Sequence, residues 1–471
     1  MINKLASLLY GLLLSTTIAC ASDLREQDQG PTRFKIIIES RHNLDKMNQE
    51  IGHLSKFTTL EEISVQDLNE PQTELLTSVI SGHTNLRVLS FTNYNHSLAS
   101  LENRNRFKHL ASVLSNFTNL TTLDLNCSGI DKDCLEILAP NFPTTLTELD
   151  LSKNNLENTN IASILSKLSH LRVFKLVAGK ADAGQIISAL PTSLQVLDLT
   201  STTLNESKDL SKLTNLEALK LNPRNRRGLR KVDSVPLSQL LEDLTPLSQL
   251  REFSLSFDPP SLPTLPRIIQ NLPKTLETLE LHCCKNIDES ESLDLIKTFP
   301  INLQELYLID IKIDKEEIKA LSEILSSNLR QLSLRMANLN TETLSILLPN
   351  LSTSLEVLVL ERNNIDDKGL EILSAALSTN LSMLQVLDLY NNDFTQNGAQ
   401  RFLDMLNSNT TLVNLIYSDN LKLEIPQENY TLQRFYNISF FNERNERLLG
   451  INTKRAAKLQ DLAYLILFLK N

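Results

Sequence analysis

Apolar residues in this chain follow two alternating rhythms. Short segments alternate apolar with polar, as in Leu194-Gln-Val-Leu197-Asp-Leu199. A period of two places one face of a strand in a core. Between these segments apolar residues fall three and four apart, as in Asp367-Lys-Gly-Leu370-Glu-Ile-Leu373-Ser-Ala-Ala-Leu377. That spacing predicts a helix with one buried stripe, and Asp366 or Asp367 stands where its N-cap acceptor is needed. Glu316–Leu325, Thr341–Leu348 and Asn397–Leu406 carry the same helical pattern.

The strand segments share one motif, Leu-x-x-Leu-x-Leu. Nine copies are strict, starting at Leu120, Leu146, Leu194, Leu216, Leu276, Leu303, Leu329, Leu355 and Leu384. Relaxed copies start at Leu60, Leu86, Leu171, Leu250 and Leu412. Nine of the thirteen start-to-start spacings lie between 25 and 29 residues, which scattered leucines would not sustain. About 14 units, each one strand plus one helix, predict an array in which every unit buries its leucines against its neighbours.

Leu303–Leu325, Leu329–Leu348, Leu355–Leu377 and Leu384–Leu403 resemble ribonuclease-inhibitor-type leucine-rich repeats. The resemblance implies an α/β leucine-rich-repeat solenoid, a horseshoe with a parallel sheet on the concave face and helices on the convex face. Asn154, Asn363, Asn392 and Asn420 match the family's Asn, whose side chain satisfies backbone groups at the turn. Ser128, Thr202, Arg224, Cys284, Ile311 and Ala337 replace it in other copies, so the ladder is expected to be incomplete. Residues 60–429 are read as repeats. Residues 34–59, with Phe34-Lys-Ile-Ile-Ile38, are read as an N-terminal capping unit, and 430–471 as a degenerate last repeat followed by a capping helix.

The chain begins with one positive charge and an apolar run, Leu5–Ala19, followed by Ala19-Cys-Ala21. Residues 1–21 therefore read as a secretory signal and 22–33 as a polar linker, which predicts export to the medium, the periplasm or the cell surface. Thr17-Ile-Ala-Cys20 also resembles a lipobox, but Thr17 stands where Leu is usual, which weighs against a lipid anchor at Cys20. The apolar stretch Leu462–Leu469 is too short to span a bilayer and is assigned to the cap.

Composition narrows the function. Leu is roughly one residue in five of the 471, Trp is absent and the net charge is −10. Such a chain has no global electrostatic reason to bind nucleic acid. No P-loop, dinucleotide, nucleophile-elbow or zinc-protease motif occurs, so we expect neither catalysis nor a cofactor. Glu280, His282 and Cys283, with Cys284 and Asp310, have the chemistry of a zinc site. Cys284 fills the ladder position, however, where the repeat consensus accepts Cys, and no metal is expected. Cys127 and Cys134 leave a disulfide and two thiols equally open.

The residues between and beside the strand leucines should form the binding surface. Tyr307, Ile309, Arg335, Met336, Val359, Glu361, Arg362 and Tyr390 combine types enriched at interfaces and are the candidate partner-binding zone. Asp124, Glu148, Asp150 and Asp198 form a secondary acidic patch, read as broken by Lys153 and Val177. Arg224, Arg226, Arg227, Arg230 and Lys231 form a basic loop in a 34-residue unit. The expected function is an exported scaffold that recognises a protein partner, similar to leucine-rich effectors or surface proteins of host-associated bacteria. The array also resembles the Ran GTPase-activating proteins; in that alternative Arg335 or Arg362 would play the polar role.

Overall fold

The computed structural model describes residues 35–38, 48, 51–52, 54, 60–93, 100–157, 159–177, 183–200, 202, 210–221, 244–257, 265–283, 289–325, 328–406, 409, 411–412 and 414–417. The first 34 residues, the basic loop from Arg224 to Lys231, Cys284, Asn420 and the segment 430–471 lie outside the described residues. The chain forms two compact units, Met1–Cys284 and Lys285–Asn471.

In the first unit ten strands pair in sequence order, every pair parallel. They are β1 (Lys35–Ile38), β2 (Glu62–Gln66), β3 (Val88–Thr92), β4 (Thr122–Asp124) and β5 (Glu148–Asp150). β6 (Val173–Lys175), β7 (Val196–Asp198), β8 (Ala218–Leu221), β9 (Glu252–Phe257) and β10 (Thr278–Cys283) follow. The second unit contains β11 (Glu305–Ile309), β12 (Gln331–Arg335), β13 (Val357–Val359), β14 (Val386–Asp388) and β15 (Asn414–Ile416), again parallel and in order. Each of β2 to β15 begins two residues after the first Leu of its motif.

Register follows the leucines. Leu306, Leu332, Leu358, Leu387 and Leu415 stand side by side, as do Leu123, Leu149, Phe174, Leu197 and Leu219. All fourteen leucines that open the motif are at most 4% exposed. Helices return the chain between strands, and the sequence-expected ones form at Lys315–Ile324, Thr341–Leu347, Asp367–Leu377 and Gln396–Met405. Asp366, not Asp367, caps the third of these, accepting from the Gly369 amide at 2.9 Å. Each unit is a stretch of leucine-rich-repeat solenoid.

The turn after seven of the strands shares one conformation. Asp67, Cys127, Lys153, Asp310, Met336, Arg362 and Asn391 are the eighth residues of their repeats, and each has φ between 55° and 58°. The ladder residue comes next. Asn363 accepts from the Ala337 and Leu339 amides, both at 3.0 Å, and donates to the Leu334 and Leu360 carbonyls at 2.8 and 2.9 Å. Asn154 does the same for Ser128, Ile130, Leu125 and Leu151. Where Asn is missing the bonding is thinner. The Ser128 hydroxyl donates to the Phe91 and Leu125 carbonyls, Thr202 donates to Leu199, and Ile311 and Ala337 are simply buried.

Candidate functional site

With motif leucines at the fourth and sixth positions buried, alternation sends the third, fifth and seventh side chains to the opposite face of the sheet. In the second unit the fifth position reads Tyr307, Ser333, Val359, Asp388 and Ile416 from β11 to β15. The seventh reads Ile309, Arg335, Glu361 and Tyr390.

Charge on this face centres on Glu361. Its Oε2 lies 3.0 Å from Arg335 Nε, and its Oε1 lies 3.3 Å from Arg362 Nε. Both arginines implied for a GTPase regulator are thus ion-paired within the chain. Asp388, on the neighbouring strand, accepts from the Tyr390 amide at 2.9 Å. Burial pushes its carboxyl up to about 7; the Tyr390 amide opposes this, the Glu361 charge adds to it and Arg335 opposes it. The Tyr307 hydroxyl lies 2.8 Å from Gln331 Oε1, and Gln331 donates to Glu305 Oε1 at 3.0 Å.

The predicted zone is therefore brought onto one face, but unevenly. Tyr307, Ile309, Arg335, Met336 and Tyr390 are half-buried and Arg362 is exposed, while Val359 and Glu361 are buried. Met336 and Arg362 occupy the left-handed turn position rather than the strand. Asp388 and Ser333 were missed in the sequence because neither is a typical interface residue. Counting strictly to the fifth position of each motif finds both.

On the first unit's face the acidic residues do not stand alone. The fifth-position column reads Asp124, Asp150, Lys175, Asp198, Lys220, Ser254 and Glu280 from β4 to β10. Lys175 and Lys220, which the sequence reading left out, break the column on the strands themselves. Lys153, by contrast, sits in the left-handed turn, and the Val177 amide is held by Ser152 Oγ at 3.1 Å.

Asp124, Asp150 and Asp198 each accept from the backbone amide two residues on, at 2.9, 2.8 and 3.0 Å. Glu148, at the third position of its motif and the first residue of β5, is exposed. The Asp150 carboxyl is held above its usual range by burial; the Ser152 bonds oppose this, Asp124 adds to it and Lys175 opposes it. Burial works to lower the Lys220 ammonium, but its 2.5 Å ion pair with Glu252, together with the Glu280 and Asp198 charges, outweighs burial and holds the group above its ordinary value.

The three described cysteines are structural in placement. Cys127 and Cys134 are buried and no disulfide joins them, and burial pushes the Cys134 thiol up to about 12. Cys283 continues β10 opposite Phe257 and is 0% exposed. It faces the core, away from Glu280 and His282, which share the outer face of the strand.

No known protein family matches the chain, and no curated protein does. Among solved structures it is similar to an internalin (InlF) from Listeria monocytogenes str. 4b F2365. The two are 18% identical, the match covers 82% of this chain and 86% of that one, and the TM-score is 0.36. The fold assignment rests on the motif and the strand register rather than on that likeness.

Proposed function

We propose that the protein is an exported, non-catalytic scaffold that recognises a protein partner through the sheet face of its second unit. One observation carries the reading: Glu361 holds Arg335 and Arg362 in fixed positions on a face that also presents Tyr307, Ile309, Met336 and Tyr390. Guanidinium groups already paired within the chain lose less side-chain entropy on docking, and Arg and Tyr are enriched among the residues that dominate interface energetics. The apolar run and Ala19-Cys-Ala21 support export. The ten- and eleven-residue helices of the second unit support the ribonuclease-inhibitor type of repeat.

Affinity capture from extracellular proteins with the full chain tests the reading, comparing wild type with Tyr390→Ala and Arg362→Ala. A partner retained by wild type should bind at least tenfold more weakly to both variants, with unchanged melting temperatures. Equal retention by all three proteins would remove this face from the reading. Intact mass of the chain from native fractions tests export: cleavage before Ser22 supports it, and an uncut Met1 contradicts it.

A further inference from the structure

The fifth side chain of each motif leaves the core face, and its exposure changes abruptly along the second unit. From β2 to β11 this position is half-buried or exposed on every strand. From β12 to β15 it is Ser333, Val359, Asp388 and Ile416, each 4–7% exposed. Neighbouring strands do not account for the change. Ser64, Ser90 and Ser254 hold the same position between two paired strands, and each stays half-buried. Val359 stands between two short side chains, Ser333 and Asp388. Ile416, on the last described strand, has one described neighbour, β14. A side chain flanked on one side only should be the most exposed of its column, yet Ile416 is buried. Burial also pushes the Asp388 carboxyl up to about 7, which a sheet face open to water would not do. Among the described elements, β13, β14 and β15 pack mainly against adjacent strands.

We propose that residues 430–471 of this chain lie across the sheet face of β12 to β15, rather than only closing the end of the array. Reach and chemistry select this occupant. The second compact unit runs to Asn471, and 54 residues follow Tyr417. Tyr430 lies thirteen residues beyond Tyr417, an extended reach of roughly 40 Å against about 14 Å across four strands. The covered column is apolar at Val359 and Ile416 and acidic at Asp388, with the Glu361 carboxylate close by. Residues 430–471 answer both characters. They carry Phe435, Phe440, Phe441 and the apolar run Leu462–Leu469, and seven Lys or Arg against three Asp or Glu in a chain whose net charge is −10. A partner reaching Tyr390 and Arg362 would have to displace this segment. That consequence rests on the partner-binding reading, whereas the contact itself does not.

The test is made without any partner. In the full chain, Tyr390→p-benzoylphenylalanine puts a photoreactive group on this face, and circular dichroism checks that folding is unchanged. Irradiation should join it to residues 430–471 within one molecule, as mapped by mass spectrometry of the monomer. Tyr307→p-benzoylphenylalanine, on the flanking strand β11, is the second placement and is read if the first fails to fold. Glu371→p-benzoylphenylalanine, on the exposed surface of the helix Asp367–Leu377, should give about a tenth of that yield or less.

Absence of capture from the folded tyrosine variant overturns the proposal, as does equal capture from Glu371. Capture only between two molecules would make a second copy the occupant, and capture elsewhere in the same chain would give the cover to another segment; either result overturns it. With capture established, a partner that Tyr390→Ala fails to weaken would remove the partner-binding reading alone.

Discussion

Two buried ionisable residues show what the fold tolerates. Asp388 is 4% exposed and its carboxyl is held near 7, against about 3.9 in an unfolded chain. Between those values the native state holds a proton that the unfolded chain has released. This group's contribution is therefore fully present below about pH 4 and is lost as pH rises to about 7. Relative to Asp388→Asn, wild type should lose on the order of 4 kcal/mol across that window and then level off, as measured by denaturant melts from pH 4 to 8. A flat difference would mean that Asp388 ionises normally. Arg106 is the second case. It is 0% exposed, packs against the Phe91 and Phe107 rings at 5.1 and 5.6 Å, and donates from Nη1 to Asn103 at 2.8 Å. Its Nε and Nη2 meet no acceptor, and burial lowers the guanidinium to about 10. Replacing a poorly satisfied buried charge with an apolar side chain of similar length is often neutral or stabilising. Arg106→Met should therefore leave stability unchanged or raise it by about 1–2 kcal/mol; a loss above about 2 kcal/mol would show that the ring contacts outweigh desolvation.

Strands and helices were legible because the leucines carry two periods. The four helices named from the periodicity formed within one residue of their expected starts. What the periods could not tell was how neighbouring repeats are tied together. Asn363 bonds to two amides and a carbonyl of the preceding repeat. Asn363→Ala strands those groups in the interior, so it should cost about 2–4 kcal/mol, read from the midpoint of chemical unfolding. The same change at Asn392 should cost less, since its Oδ1 accepts only from the Ile365 amide, at 3.2 Å. Equal costs at the two sites would mean that the bonding does not set the difference. The candidate face was half legible. Tyr307, Arg335 and Tyr390 stand out by residue type, but Asp388 and Lys175 matter by position, and their neighbours are 23 to 29 residues away in sequence. No local pattern exposes a charge that becomes significant only when strands align.

At the scale of the molecule, each unit repeats one solution: leucines inside, a polar sheet face, and helices between strands. Far-ultraviolet circular dichroism of the full chain should accordingly show helix and strand together, and a purely β spectrum would contradict the helices in both units. The sheet faces divide the work differently. The interior columns are fixed by packing, because replacing a leucine such as Leu358, 0% exposed, leaves a cavity costing about 3–5 kcal/mol. Side chains at the third, fifth and seventh positions are mostly free of that constraint, and exposed changes there cost little. Heredity can therefore treat the two sets separately. A lineage built on this chain can rewrite its outer letters one at a time, acquiring or losing a ligand by ordinary drift while the folded frame persists. Two descendants would then be alike in every leucine and strangers in what they hold.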